Sequence, residues 1–108
     1  MGVINLTAED KFAELTRNQQ GIVIVDFWAP WCAPCRMLAS ELAGAGEEFG
    51  EKLQVLKVNI DDFADLASAQ YKVLGVPTLV LFKDGQEKDR LVGYRPKAAI
   101  KEFIEKHL

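Results

Sequence analysis

Residues Ile22 to Met37 read IVIVDFWAPWCAPCRM. The first seven form a near-continuous β-branched and aromatic run, the pattern of a strand covered on both faces. Both cysteines, both tryptophans and two of the four prolines then fall between Trp28 and Cys35. Pro34 suits the first turn of a helix, so the chain passes from strand to helix across the cysteines. Leu38, Leu42, Ala45 and Phe49 recur at helical spacing and carry that helix to about Phe49. A core needs no such cluster of unusual residues, and a turn needs only the prolines.

The flanking sequence supplies the rest of the fold. Val3-Ile4-Asn5-Leu6 reads as a short edge strand. Thr7 with Asp10 resembles a capping box that opens a helix through about Gln20, ended by Gly21. Leu53 to Asn59 reads as a second buried strand, and Phe63, Leu66, Ala67 and Tyr71 as another helix. Thr78 to Phe82 is a third apolar strand; Lys83-Asp84-Gly85 is a turn leading to a strand over Arg90-Leu91-Val92. Pro96 suits the first turn of a final helix with Ile100, Phe103 and Ile104 on one face. The order β-α-β-α-β-α, then a hairpin, then α predicts an α/β fold. Its centre is a mixed sheet of about five strands, flanked by four helices on both faces. At 108 residues with no linker, repeat or low-complexity segment, one domain over 1–108 is expected.

Composition removes several function classes. The net charge of −3 comes from 13 basic and 16 acidic residues mixed along the chain, so no basic run invites nucleic acid. The longest apolar runs, such as Val76 to Phe82, are too short to span a bilayer. MGVINLTAEDKF lacks the basic head and apolar stretch of a secretory signal, which sets the expectation of a cytoplasmic chain. Cytosolic thiols are kept reduced, so a cysteine pair there points to reactivity or metal rather than a permanent staple.

Cys32 falls at a helix N-terminus, where unpaired N–H groups and the macrodipole favour a thiolate. Cys35 lies one turn further in, close enough for a disulfide. Cys32 is expected to be exposed and Cys35 shielded, giving an attacker and a resolver. Thiolate gained by a lowered pKa is largely offset by lost nucleophilicity, so the helix terminus tunes leaving-group quality and redox poise as much as speed. Blander readings exist. A staple closing so small a loop gives roughly 2 kcal/mol, against about 4.7 for a hundred-residue loop. A zinc site lacks ligands within the chain, because the only histidine is His107; a metal cluster bridging a dimer is the remaining metal reading. Two inert core cysteines would leave the surrounding prolines and tryptophans without purpose. Asp26, inside the apolar strand, either carries a raised pKa or points to solvent at a strand end. Lys57 in the neighbouring strand is either its partner or solvent-facing.

The stretch VDFWAPWCAPCRM resembles the active-site motif of the thioredoxin family, whose usual core is Trp-Cys-Gly-Pro-Cys. KVNID at Lys57 to Asp61, GVPTLVLFKDG at Gly75 to Gly85 and Gly93 match the family in the same order across the chain. The resemblance implies a thiol–disulfide oxidoreductase that reduces protein disulfides, with Cys32 as nucleophile and Cys35 as resolving thiol. Asp26 would be a buried acid/base assisting Cys35, supported by Lys57 and Pro34. Pro77 would follow a cis peptide bond beside the disulfide. Trp31, Ala33, Val76, Pro77, Gly93 and Tyr94 would form the docking surface for substrate, with Trp28 assigned to core support. Val76 would pair with an extended substrate strand. The implied partners are disulfide-containing proteins and a thioredoxin reductase drawing on NADPH. No nucleotide-binding glycine motif is present, so no bound flavin, nicotinamide or metal is expected, and the chain is expected to be monomeric. A thiol oxidase or isomerase of the same fold, and a non-catalytic binding module, are the rival readings.

The sequence also departs from the family pattern. Ala33 replaces the usual glycine and predicts a shifted redox potential. Ser40 stands where many members carry a helix-kinking proline, which predicts a straighter helix unless Ser40 bonds back to the preceding turn. Gly44 and Gly46 should each cost that helix about 1 kcal/mol relative to alanine. The chain is one residue longer than many relatives between Asp61 and Tyr71, expected as a longer surface loop. Tyr94, where a small residue often follows the glycine, is expected to alter substrate choice.

Overall fold

The computed structural model describes residues 1–108 and is built around β2 (Ile22–Trp28). On one side β2 pairs in parallel with β3 (Leu53–Asn59), which pairs in parallel with the edge strand β1 (Gly2–Asn5). On the other side it runs antiparallel to β4 (Thr78–Lys83), itself antiparallel to β5 (Gln86–Val92). The five-stranded order is β1-β3-β2-β4-β5, the expected mixed sheet.

The strand alternation sorts two cores. Val23, Val25 and Phe27 of β2 join Leu56, Val58, Val80 and Phe82 on one face, under Phe12, Leu66 and Tyr71. Ile22 and Ile24 join Leu53, Val55, Leu79 and Leu81 on the other. That second face is covered by Leu38, Leu42 and Ala45 of α2 (Ala33–Gly46) and by Ile100, Phe103 and Ile104 of α3 (Lys97–Glu105). Burying each large side chain is worth about 1.5–3 kcal/mol, and burial on both faces is why β2 reads as a continuous apolar run. Asp26 has the parity of Ile22 and Ile24 and therefore faces α2.

Several boundaries differ from expectation. The first helix is short: a 3₁₀ turn at Glu9–Lys11 followed by α1 (Phe12–Leu15). Ala8 rather than Thr7 precedes it, with no side-chain cap, so the capping box does not form. Beyond Leu15 no apolar residue remains to bury. Thr16 instead donates its hydroxyl to Phe12 O at 2.8 Å, and Asn18 N–H closes on Ala13 O at 3.0 Å. The chain around Leu66–Gln70 is π-helical, with Tyr71 N–H donating to Leu66 O at 3.1 Å. The stretch from Ala64 to Gln70 is thus helical rather than a surface loop, with one turn widened to i→i+5 bonding. This turn buries Leu66 and Ala67 and is followed by Tyr71, whose ring packs at a tilt against Phe12 with centroids 5.0 Å apart. With α1, α2 and α3 it makes the four helices expected.

α2 runs without interruption through the exposed Ser40, then tightens into a 3₁₀ stretch over Glu47–Lys52 that turns at Gly50. The hairpin strand β5 begins at Gln86, earlier than the apolar Leu91 and Val92 alone suggest, because Asp84 and Gly85 adopt positive φ of 49° and 86° in a two-residue turn. Pro96 lies one residue before α3 as its N-cap rather than inside its first turn. No helix is long and apolar enough to cross a membrane.

Candidate active site

Where β2 ends, Cys32 takes an extended conformation (φ −100°, ψ 104°) and caps α2. Its Sγ accepts a hydrogen bond from Cys35 N–H at 3.2 Å, so one of the helix's orphan donors points at this sulfur. A disulfide joins the two cysteines, whose Cα atoms lie 5.3 Å apart. Pro34 occupies the first turn, where its missing N–H costs nothing.

The expected contrast in exposure is absent. Cys32 is 5% exposed and Cys35 4%, because both side chains pack with Ala29 under Trp28, Ile60 and Val76. What distinguishes them is direction. Cys32 caps the helix and its Sγ lies 3.7 Å from Val76 O at the surface loop, whereas Cys35 lies on the inward face with Leu38 and Leu42. The two cysteines differ in helix position rather than in exposure.

The Val76–Pro77 peptide bond is cis and lies beside the disulfide. Val76 N–H donates to no backbone carbonyl, while Gly93 N–H donates to Pro77 O at 2.8 Å and brings Gly93 to the same edge. Trp31 is 66% exposed and tethered by Nε1–H to Asp61 Oδ1 at 3.2 Å. Between Trp31 and Val76 opens a groove of about 230 Å³, floored by Ile60, Ala67 and Val73 and bordered by Leu74. Leu74, 99% exposed, is the rim residue that sequence reading missed. A leucine outside any helical or strand period was the available signal. Ala33 and Pro34 are exposed at the start of α2. Tyr94 is not free at the rim: it packs against the α2/α3 core and donates its hydroxyl to Glu41 Oε1 at 3.1 Å.

Beneath this surface Asp26 is 2% exposed, and its Oδ1 has no hydrogen-bond partner. It opens on a cavity of about 190 Å³ shared with Ala39, Leu42 and Lys57; Ala39 is one turn along α2 from Cys35. Burial pushes the carboxyl pKa from 3.8 up to about 6, against a smaller opposing pull from the Lys57 charge. Asp26 and Lys57 are register partners on adjacent strands, yet they form no ion pair. The Lys57 ammonium instead lies over the Trp28 ring, 5.1 Å from its centroid. The side chain is neither the carboxylate's direct partner nor simply in solvent. No three His, Cys, Asp or Glu side chains gather as a metal site.

The family model described as Thioredoxin matches residues 3–106. The chain belongs to the thioredoxin family. It is 39% identical to a thioredoxin of Bacillus subtilis (strain 168) and 38% identical to one of Staphylococcus aureus (strain Mu50 / ATCC 700699), each over 108 residues and the full length of both chains. A solved mutant thioredoxin from Halobacterium salinarum NRC-1 superposes with a TM-score of 0.85 at 35% identity, covering 98% of this chain and 90% of that one. With the Cys32–Cys35 pair at the head of α2, the thioredoxin-family chain is a thiol–disulfide oxidoreductase of the protein-disulfide reductase type.

Proposed function

We propose that the chain is a general cytoplasmic reductant of protein disulfides, working as a monomer and recycled by a thioredoxin reductase that draws on NADPH. In the reduced protein the Cys32 thiolate attacks one sulfur of a substrate disulfide. A mixed disulfide forms and the other substrate sulfur leaves as a thiolate. Cys35 then gives up its proton and attacks Cys32 Sγ, releasing the second substrate thiolate and closing the Cys32–Cys35 bond. Two electrons pass to the substrate, and the reductase returns them.

The observation that carries this reading is the closed Cys32–Cys35 bond at the start of α2, with Cys35 N–H directed at Cys32 Sγ. That donor stabilises negative charge on Cys32 both when it attacks and when it leaves. Asp26 takes the Cys35 proton: a carboxyl with a pKa near 6 is matched to proton transfer close to neutrality. Its cavity gives the proton an outlet past Lys57. The free Val76 N–H supports strand addition by an extended substrate segment. Trp31, Ala33, Pro77 and Gly93 complete the docking surface proposed around Cys32, with Tyr94 tied by its hydroxyl to Glu41 of α2. The single domain over 1–108 needs no bound cofactor for this chemistry.

Insulin-disulfide reduction coupled to NADPH and a thioredoxin reductase tests the proposal. The wild-type chain should turn over, Cys32→Ser should be inactive, and Cys35→Ser should accumulate a mixed disulfide with substrate. Efficient oxidation of dithiols with poor insulin reduction would indicate a thiol oxidase. Biological function surviving both substitutions would indicate a binding module.

A further inference from the structure

Trp28 is placed between two roles by its own geometry. It lies two residues beyond Asp26 on the same face of β2, diagonal to Lys57 on β3. Its Nε1 is buried with no acceptor, so no hydrogen bond accounts for an indole at this position. The ring face does have a partner, the Lys57 ammonium at 5.1 Å. Indole is the strongest of the aromatic faces for a cation. From its register position opposite Asp26, the Lys57 side chain leans along the strand toward Trp28 and leaves Asp26 Oδ1 unpartnered.

We infer that Trp28 is a positioning residue for Asp26: its ring holds the Lys57 ammonium out of contact with the carboxyl while leaving the charge within electrostatic reach. The inference rests on the reading of Asp26 as proton acceptor for Cys35. A lysine in direct contact would favour the ionised carboxylate and pull its titration toward ordinary carboxylate values. A lysine removed altogether would let burial raise it further. Held over the ring, the cation leaves the carboxyl at about 6, between these limits. Of the other titratable groups on elements packed around Asp26, the Met1 amino-terminal residue lines the same cavity, and Cys35 lies on the buried face of α2, which Cys32 caps. Arg36 and Glu41 of α2 are engaged elsewhere, with Pro30 O and with Tyr94 and Lys97. β4 presents only Leu79 at the paired position.

The test is an NMR titration of the Asp26 side-chain carboxyl in the oxidised, full-length protein, where neither cysteine titrates. Trp28→Leu should free Lys57 to reach the carboxyl and lower its midpoint by about one pH unit, a tenfold change in its protonation equilibrium. Trp28→Phe, which keeps a weaker face, should fall between. In a Lys57→Met background the midpoint should rise, and Trp28→Leu should then leave it unmoved. A shift of equal size with and without Lys57, or no shift in either, would overturn the inference, since a merely structural tryptophan acts independently of the lysine. The pH profile of insulin reduction by the same variants separates the two claims. If the midpoints move as stated while the profile does not, the positioning stands and the proton-acceptor reading of Asp26 falls.

Discussion

Asp26 combines a carboxyl with a site that gives it no hydrogen bond at Oδ1 and almost no solvent. Its pKa is raised from 3.8 to about 6 in the folded chain, so the folded state holds this proton more tightly than the unfolded one. Stability therefore falls as pH rises through that window and stays lowered above it. The ionised carboxylate costs the fold about 3 kcal/mol at pH 7, from about 1.4 kcal/mol per pH unit. Asp26→Ala should stabilise the protein by up to that amount at pH 7 in urea unfolding, with the gain fading as pH falls from about 6 to about 4. It should also slow disulfide reduction near neutrality. A second prediction concerns Ala33, exposed at the first position of α2 beside Cys32. Its methyl group stiffens the turn relative to glycine. Equilibration with glutathione should give a different potential for Ala33→Gly, and an unchanged value would remove this account of the departure from Trp-Cys-Gly-Pro-Cys.

At the scale of the element, the two glycines of α2 separate once their surroundings are known. A Cβ at Gly44 would meet only the flexible Lys97 chain, at 3.4 Å from Cδ. Gly44→Ala should therefore recover the full helix propensity, about 1 kcal/mol, as a higher urea midpoint. At Gly46 the same atom would collide with Met1 Sδ and approach Leu53 Cδ2 at 3.2 Å. Gly46→Ala should yield no gain, because overpacking consumes what propensity offers. Equal gains at both positions would contradict this packing. α1 shows the opposite limit of local signals. Thr7 and Asp10 have the spacing of a capping box, but only Phe12 and Leu15 have a core to enter, so only that turn is α-helical. The π-helical turn at Leu66–Gln70 had no legible signal either. The period of Phe63, Leu66, Ala67 and Tyr71 indicates a helix and says nothing of whether one turn is widened.

For the whole molecule, the disulfide is both the redox centre and a constraint on the unfolded chain. Closing a loop across a sequence separation of 3 restricts the unfolded chain by about 2 kcal/mol. The oxidised protein should thus exceed the reduced one by about that much, moving the urea midpoint by about 1 M. By linkage the same difference makes the unfolded disulfide a stronger oxidant than the folded one, so unfolding curves in both redox states should close a thermodynamic cycle with the measured potentials of the folded and unfolded couples. Equal stabilities would mean that folding imposes a compensating penalty on the bond.

The strand and helix order, the mixed sheet and the Cys-X-X-Cys turn at a helix start were legible in the sequence. Each follows from local periodicity and from residues such as Pro34 and Gly85 whose backbone preferences act over one or two positions. Only the tertiary structure decided that Cys32 and Cys35 are equally buried, that Lys57 lies over Trp28 without pairing to Asp26, and that Tyr94 is held by Glu41. These depend on which side chains meet across strands and helices distant in sequence. A long flexible chain such as lysine or a hydroxyl such as tyrosine takes its place from the partners that packing brings within reach.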